Sequence, residues 1–287
     1  MTHDRPIRVC FMIDSLGVAG IEMQLLLLLK HLDRTRVTPY LCLLDGDDQK
    51  SRSLEPDNCR VVRLGVRHLR HPSTFFRALR LARFLRRERI DVLHPLFPDS
   101  MYLGAPVAKL AGVPCVVRFR VGLGYGMKPV DRWLCRVYNR LIDATLVNCE
   151  ACRQAVIADE NAPPESVTII PNGLDLSRFS AIGANGCARR GAAGRRVGAV
   201  ANLRPVKNLD LLVRAGAILA PLHPQVRLEI AGEGESRAEL ESLARELGLE
   251  GRVAFPGTVL DVPGFLADLD VAVLCSRSEG SPNAIME

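Results

Sequence analysis

Residues 7–44 read IRVCFMIDSLGVAGIEMQLLLLLKHLDRTRVTPYLCLL and contain the repeating unit of the whole chain. A β-rich apolar run, Ile7–Asp14, leads through a glycine-containing loop into a helix-length apolar segment, Ile21–Leu32. A second apolar run follows at Val37–Leu44. Strand, helix and strand in this order predict a parallel βαβ unit, so we expect an α/β fold with helices on both faces of a parallel sheet.

The same alternation extends over the rest of the chain with one interruption. Ser180–Arg196 is rich in Gly, Ala and Arg and has no apolar period, so we interpret it as a linker. Before it, the pattern predicts further strands at Arg60–Gly65, Asp91–Phe97, Cys115–Arg120, Thr145–Asn148 and Val167–Ile170, and helices at Thr74–Arg89, Ser100–Ala111, Pro129–Leu141 and Ala151–Glu160. After it, the predicted elements are Arg196–Leu203, Asn208–Leu219, Val226–Ala231, Ser236–Leu247, Arg252–Phe255, Val262–Ala267 and Val271–Cys275.

This division predicts two doubly wound, Rossmann-like domains, residues 1–172 and 196–287, with a hinge or linker over 173–195. Such sheets bind ligands beyond the carboxyl ends of their strands, so we expect the two domains to face a common cleft. The second domain stops after about four strands with a helix barely begun, which would leave an apolar edge. We therefore expect the sequence to be a fragment with an incomplete second domain.

The composition indicates a globular protein with real hydrophobic cores. The chain has 287 residues, 48% of them hydrophobic, and a mean hydropathy of +0.10. The early apolar run Leu25–Leu29 is far too short to span a membrane, and the N-terminus lacks a signal-peptide pattern, so we expect a cytoplasmic protein. The nine cysteines are interpreted as reduced thiols. The solitary pair Cys149 and Cys152 is more typical of a strand-to-helix turn than of a zinc or redox site.

One basic helix accounts for much of the net charge of +6. Its stripe of four arginines lies beside an apolar face and consists of Arg77, Arg80, Arg83 and Arg87. The pattern is typical of an ordinary surface helix, and it also fits peripheral docking on an anionic membrane surface. Aromatic residues make up only 5% of the chain and do not alternate with basic residues on a strand, so nucleic acid is not expected as a partner.

Two cations follow the first strand of the second domain. Arg204 and Lys207 precede a helix for which Asn208 is the predicted N-cap. The helix dipole, free N–H groups and two formal charges would converge on a phosphate group at this point. Solvated surface cations are the alternative interpretation, and the pattern alone does not separate the two.

The last twelve residues, SRSEGSPNAIME, carry two carboxylates, Glu279 and Glu287. Glu279 lies in the predicted loop after a strand, and Glu287 lies about one turn into a helix that begins near Asn283. The amides of Gly280, Ser281 and Asn283 could hold phosphate oxygens. Carboxylates bind vicinal sugar hydroxyls and stabilise positive charge at an anomeric carbon, so the context favours sugar chemistry over two solvated glutamates.

Glycine-containing turns end two other predicted strands. In the first domain, Gly17 and Gly20 permit close backbone approach, and Glu22 begins the first helix, whose amide end attracts anions. In the second domain, Gly232 and Gly234 form a similar turn. The early loop is not a dinucleotide-binding G-x-G-x-x-G, and each pattern taken alone is also explained by a tight strand-to-helix turn.

Together these segments resemble a known family, the retaining glycosyltransferases of family four, which have the GT-B architecture of two facing Rossmann-like domains. LGVAGIE (16–22) resembles the family's early Gly-Gly-Ala-Glu loop, and VTIIPNGLDLSRF (167–179) resembles its Asn-Gly-Val-Asp signature. VGAVANLRPVKNLDLLVRA (197–215) resembles its Arg-x-x-Lys segment. The final twelve residues resemble its motif of two glutamates eight positions apart, and the resemblance covers nearly the whole chain.

The resemblance implies transfer of a sugar from a nucleotide-diphosphate donor to a glycan, lipid-linked or small-molecule acceptor, with retention of anomeric configuration. It also implies that no metal and no cofactor take part. Residues 1–172 would form the acceptor side and residues 196–287 the nucleotide-sugar side. Arg204 and Lys207 would bind the diphosphate, and Glu279 would contact the donor sugar near its 3- and 4-hydroxyls.

Further donor contacts are implied by the same resemblance. Glu287 would hold the ribose hydroxyls. Gly280, Ser281 and Asn283 would supply amides around the sugar and phosphate. Gly20 would close over the donor from the first domain.

The chain departs from the family's pattern on the acceptor side, where Glu22 lies. Ala19 and Ile21 replace the Gly and Ala of the early loop, which could narrow or reshape that side. Where many members carry a histidine after the strand PCVVRF, this chain has Arg120, which cannot be a neutral base at pH 7 and is expected to bind a phosphate or carboxylate of donor or acceptor. His94 matches a frequent family histidine, and a packed or capping role is favoured over that of a substitute base.

Three other functions stay open on the sequence. Asp45 and Asp47 would be the acidic pair of a manganese-dependent transferase of another fold, although an acidic turn explains them better. A GT-B sugar-nucleotide epimerase would turn over the donor without an acceptor. A non-catalytic sugar-nucleotide or glycan-binding protein, or an inactive fragment, would bind without transfer.

Overall fold

Two compact units, residues 1–173 and 174–287, make up the computed structural model of the chain, which describes residues 5–45, 48–180 and 195–287. Most of the predicted linker, residues 181–194, lies outside the described residues, as do Asp47 and Cys187. At its two ends, Ser180 closes a short helix and Arg195 opens a strand.

A seven-stranded parallel sheet forms the first unit. Its strands are β1 (Ile7–Ile13), β2 (Val37–Leu43), β3 (Arg60–Arg63), β4 (Val92–Pro95), β5 (Cys115–Phe119), β6 (Ala144–Val147) and β7 (Val167–Ile169). Its helices are α1 (Gly20–His31), α2 (Gln49–Ser53), α3 (Ser73–Arg87), α4 (Pro98–Ala111), α5 (Pro129–Tyr138) and α6 (Glu150–Glu160). The strand order is β3-β2-β1-β4-β5-β6-β7, so the direction of winding reverses between β1 and β4.

The central strand β1 is buried on both faces, which explains its nearly continuous apolar sequence. Cys10 and Met12 point into one core, against residues of α3 and α4. Phe11 and Ile13 point into the other core, against α1. Gly104 of α4 permits this packing, since a Cβ atom there would lie 2.7 Å from the sulfur of Met12.

A four-stranded parallel sheet forms the second unit. Its strands are β8 (Arg195–Val200), β9 (Val226–Ala231), β10 (Val253–Gly257) and β11 (Val271–Ala272), in the order β10-β9-β8-β11. Its helices are α7 (Ser177–Ser180), α8 (Leu209–Leu222), α9 (Arg237–Glu246), α10 (Val262–Ala267) and α11 (Asn283–Met286). The winding reverses between β8 and β11, and the carboxyl edge at such a reversal is where open α/β sheets bind ligands.

Every predicted strand and helix has a counterpart, but several ends are corrected. The strand predicted to reach Leu203 ends at Val200, because the Leu203 amide donates to the Glu233 carbonyl at 2.9 Å in a loop contact. The strand predicted to end at Cys275 pairs only over Val271–Ala272. The short helices α2 and α7 were not predicted, and α2 begins where the Asp48 side chain accepts from the Ser51 amide.

The cysteines and the helix lengths can be compared with what the composition predicted. All eight cysteines in the described ranges are free, and the Cys149 sulfur accepts from the Cys152 amide at the start of α6, as expected for a strand-to-helix turn. No helix in the described parts of the chain is both long and apolar enough to cross a bilayer.

Candidate functional site

Lys207 and Glu279 lie together at the carboxyl edge of the second sheet. Lys207 ends a 3-10 turn between β8 and α8, and Glu279 follows β11. The ammonium nitrogen is 2.5 Å from a carboxylate oxygen, and each side chain is 23% exposed. Because β8 and β11 are the neighbours between which the winding reverses, this ion pair lies at the topological switch point of the sheet.

A set of hydrogen bonds explains why the two loops meet. The Arg277 amide donates to the Val206 carbonyl at 2.9 Å, and the Arg277 guanidinium donates to the Asn208 side chain at 2.8 Å. The Asn208 amide group in turn donates to the Cys275 carbonyl at 3.1 Å. These contacts hold the segment that carries Glu279 against the turn that carries Lys207.

Asn208 lies at the predicted N-cap position before α8, but its side chain does not cap the helix. Asn208 has a left-handed backbone with φ of 54°, which Asn tolerates better than most residues, and its side chain makes no capping bond. The side chain instead binds the loop after β11. The sequence identified the residue correctly as part of the turn but not the partner that it holds.

Arg204 belongs to the same turn as Lys207. The Lys207 amide donates to the Arg204 carbonyl at 2.9 Å, and the Arg204 side chain is 66% exposed. Its nearest acidic neighbour is Glu235, at 4.0 Å. Two cations thus lie at the N-terminus of α8, where the helix dipole also favours an anion, and only one of them is tightly paired.

The turn that follows β9 packs directly on this region. A Cβ atom at Gly232 would overlap the Ala201 carbonyl oxygen, and one at Gly234 would overlap the Leu203 carbonyl oxygen. Gly232 also has φ of +135°, which only glycine adopts readily. The two glycines therefore let this turn lie against the loop that leads from β8 to Arg204.

The remaining predicted donor residues follow Glu279 in one continuous segment. Gly280 and Ser281 lie in the loop, Asn283 is the first residue of α11, and Glu287 lies immediately after that helix. Burial raises the pKa of the Glu287 carboxyl, and the positive charge of Arg178 opposes that shift. Their contacts with a donor remain predictions.

The first unit brings two carboxylates to its own switch point. Glu22 lies in the first turn of α1, just after Gly20, and its Oε2 is buried with no hydrogen-bond partner among the described residues. Burial raises its pKa, and the nearby charge of Asp14 adds to the shift. Asp14 follows β1 and accepts from both the amide (3.1 Å) and the hydroxyl (2.5 Å) of Ser100 in α4. Sequence reasoning missed Asp14, although an acidic residue at the carboxyl end of a strand was a usable signal.

His94 is a packed histidine in this structure. Its Nδ1 is hydrogen-bonded to the Val117 carbonyl, and its ring meets Phe11 and Phe119 edge-on, at 5.5 and 6.3 Å between centroids. Burial lowers its pKa, which favours the neutral ring. Of the two roles that the sequence left open, the geometry favours the packed one.

Arg120 requires a correction. Instead of presenting its guanidinium to a ligand, it binds the buried carboxylate of Glu160 at 2.8 Å and donates to the carbonyls of Val121 (2.6 Å) and Gly122 (2.9 Å). Arg118 lies 2.8 Å from the other oxygen of Glu160, so one carboxylate binds two arginines. Arg120 thus organises the loop that follows β5.

The described residues include no cluster of three or more His, Cys, Asp or Glu side chains placed to hold a metal ion. Of the acidic pair considered from the sequence, Asp47 is not described, and Asp45 lies 3.6 Å from the guanidinium of Arg67.

Comparison with known protein families decides the family. Residues 19–173 match the family described as glycosyl transferase 4-like domain, and residues 193–287 match glycosyl transferases group 1. The chain belongs to the GT4-type glycosyltransferases of the GT-B fold. The family predicted from the sequence is thereby confirmed.

Two curated relatives of this GT4-type chain are named as glycosyltransferases. It is 28% identical over 269 residues to the UDP-Gal:alpha-D-GlcNAc-diphosphoundecaprenol alpha-1,3-galactosyltransferase of Escherichia coli, covering 88% of the chain and 65% of the relative. It is 28% identical over 295 residues to the putative glycosyltransferase EpsF of Bacillus subtilis (strain 168), covering 98% and 76%. The chain thus spans less than two thirds of the length of the Escherichia coli relative.

Solved structures support the same fold. Anabaena Alr3699/HepE in complex with UDP and glucose superposes with a TM-score of 0.78 at 20% identity, covering 94% of this chain and 74% of that one. TarM superposes with a TM-score of 0.77 at 11% identity, covering 98% and 82%. At these identities the likeness concerns the fold, and it confirms the predicted α/β class with parallel sheets.

Proposed function

We propose that this chain provides the donor site of a retaining glycosyltransferase, which moves a sugar from a nucleotide-diphosphate donor to an acceptor hydroxyl without a metal. The observation that carries the proposal is the Lys207–Glu279 ion pair at the switch point of the second sheet, with Arg204 exposed on the same turn. A cation beside a carboxylate matches a ligand that joins a diphosphate to a polyol.

In the proposed reaction, the bond between the anomeric carbon and the diphosphate oxygen breaks and a bond to the acceptor oxygen forms. Lys207 and Arg204 stabilise the negative charge that develops on the departing nucleoside diphosphate. Glu279 accepts hydrogen bonds from the sugar hydroxyls and steadies positive charge at the anomeric carbon. The acceptor proton passes to an oxygen of the departing phosphate, so the packed His94 is not needed as a base.

The named relatives suggest the substrates. The Escherichia coli relative is named for a UDP-sugar and a diphosphoundecaprenol-linked acceptor, and HepE was solved with UDP-glucose. We therefore propose a uridine-diphosphate sugar as donor and a lipid-linked glycan as acceptor. A lipid-linked acceptor would place the protein at the inner face of a membrane, and the exposed aromatic rings of Phe75 and Phe76 beside the basic stripe of α3 support such peripheral contact.

The test compares matched variants of a version completed to the length of its relatives. Glu279→Gln and Lys207→Ala are each expected to lower turnover at least about tenfold, which corresponds to ~1.4 kcal/mol of activation free energy. Arg214→Ala and Glu239→Gln remove the same charges at exposed positions of α8 and α9 and should leave turnover unchanged. Full turnover in both site variants would refute the proposed roles.

Four further measurements separate the alternatives. Retention is checked by the anomeric configuration of the product, and metal independence by turnover in excess chelator. Turnover of the donor with no acceptor present would indicate an epimerase instead. Donor binding to this chain is measured by thermal shift. If the donor binds but the completed version transfers no sugar, the protein is a binding protein.

A further inference from the structure

A basic cavity lies at the outer end of the first sheet, away from its switch point. It has a volume of about 320 Å³ and is lined mainly by four arginines, Arg63, Arg67, Arg77 and Arg80. Arg63 and Arg67 come from the end of β3 and the loop after it, and the other two come from α3. We call it the arginine pocket. It lies at the carboxyl edge of β2 and β3, whereas the switch point lies between β1 and β4.

The charges in the arginine pocket are only half neutralised. Arg63 is paired with Glu55, and Arg67 lies 3.6 Å from Asp45. In contrast, Arg77 and Arg80 have no hydrogen-bond or ion-pair partner among the residues that the structure describes. Two positive charges are therefore left over in one cavity.

Arg77 and Arg80 both extend from α3 into the arginine pocket. Arg77 and Arg80 are three residues apart on α3 and so lie on one face of the helix. Gly65, with φ of +73°, follows β3, and the Arg77 guanidinium packs beside it, 3.7 Å from where a Cβ atom would be, which is an ordinary contact distance. The preceding residue, Leu64, is fully buried and lies at the base of the cavity.

We propose that the arginine pocket binds a phosphate or diphosphate group. Guanidinium groups bind phosphate oxygens through paired, charge-assisted hydrogen bonds, and two unpaired guanidiniums match a ligand with two negative charges. The pocket lies in the unit that does not contain the Lys207–Glu279 pair, so it adds a second anion site to the molecule.

An apolar group attached to the phosphate would find a surface beside the pocket. Phe76 lies four residues before Arg80 and hence on the same side of α3, and Phe75 is its neighbour. The two rings are 70% and 65% exposed. The phosphate chemistry is shared by a free phosphorylated sugar and by a prenyl diphosphate, and the Phe pair distinguishes these two sources.

The experiment titrates the chain with inorganic pyrophosphate and with geranyl diphosphate by calorimetry. Lys207→Ala is the background in both titrations, so that the donor site does not contribute. Arg77→Ala and Arg80→Ala are each expected to weaken pyrophosphate binding about tenfold, as expected for the loss of one charge-assisted hydrogen bond. Arg83→Ala is the matched control, since it removes an exposed arginine of α3 that does not line the pocket.

The outcomes separate the proposals. A prenyl source predicts that Phe75→Ala/Phe76→Ala weakens geranyl diphosphate binding and leaves pyrophosphate binding unchanged, and a free phosphorylated sugar predicts no effect on either. Equal losses in Arg77→Ala and Arg83→Ala would reveal non-specific attraction and overturn the proposal, as would unchanged pyrophosphate binding in Arg77→Ala and Arg80→Ala. Neither result bears on the donor site, which is tested by Lys207→Ala and Glu279→Gln in turnover.

Discussion

Replacing the buried carboxylate of Glu160 tests directly how much a buried ion pair stabilises the first unit. It is fully buried at the end of α6 and lies 2.8 Å from both Arg118, which is 2% exposed, and Arg120. Glu160→Gln keeps the size of the side chain but removes its charge. Two arginines, one of them fully buried, would then face a neutral amide.

The expected loss is large because the positive charge of Arg118 cannot reach water. Breaking a buried ion pair by removing one partner costs about 3–5 kcal/mol. A pair 4 Å apart at an effective dielectric constant of 20 is worth about 4 kcal/mol, which is consistent with that range. Since domains are stable by only about 5–15 kcal/mol, the variant should lose about a fifth or more of its stability and melt roughly 10 °C lower.

Urea denaturation monitored by tryptophan fluorescence measures the effect in the relevant unit. Trp133, the single tryptophan, lies in α5, and Arg136 of that helix donates to the Asp159 carbonyl of α6 at 3.0 Å. Glu150→Gln is the control, because that exposed residue forms one ion pair, with Arg153 at 3.5 Å, and accepts one hydrogen bond, from Gln154 at 3.3 Å, and an exposed ion pair contributes about 0.5 kcal/mol. A loss in Glu160→Gln no larger than in this control would refute the reasoning.

Two further predictions use the same kind of measurement. Glu22→Gln should stabilise the chain by about 1 kcal/mol at pH 7, since it removes a buried charge with an unpartnered oxygen. Burial raises the pKa of Glu22 above 4.5, so the folded state disfavours the charged form. The stability gained by Glu22→Gln should therefore be small below pH 4.5 and grow as the pH rises through the raised pKa. An equal gain in stability at pH 4 and pH 7 would contradict this. Gly232→Ala should destabilise the second unit by about 2 kcal/mol or more, as overlap with the Ala201 carbonyl adds to backbone strain. Gly248→Ala also places a side chain at positive φ, +67°, but has open space around the new methyl group, so equal losses in the two variants would exclude overlap as the cause.

The fold could be predicted because local sequence patterns determine it. The apolar runs of β1 and β2 are buried on both faces and are separated by a helix-length segment, which leaves little choice but a parallel sheet. The boundaries were harder, because the end of a strand depends on distant partners. β8 stops at Val200, and the Leu203 amide three residues later donates to the Glu233 carbonyl in the turn after β9, a contact that nothing near Val200 encodes.

The candidate site was predictable in part for the same reason. Lys207 and Glu279 lie in the segments that follow two strands identified by the pattern, so the two segments come to the same edge once β8 and β11 are neighbours. The ion partner of Arg120 could not be predicted, because Glu160 is 40 residues away at the end of a helix and looks like any surface glutamate. The arginine pocket could be predicted only in part. The sequence showed the stripe of arginines on α3, but placing Arg63 and Arg67 beside that stripe requires the register of β3.

The Lys207–Glu279 pair has a consequence for how a donor would bind. In the free protein each charge satisfies the other, so neither is left unpaired in a half-buried position. A ligand that brought only phosphate would draw the ammonium away from Glu279 and leave the carboxylate without its partner. A ligand that brought only sugar hydroxyls would gain little from a carboxylate already held by Lys207. A diphosphate joined to a sugar supplies both replacements at once, and we therefore expect the site to favour the intact nucleotide sugar over either half.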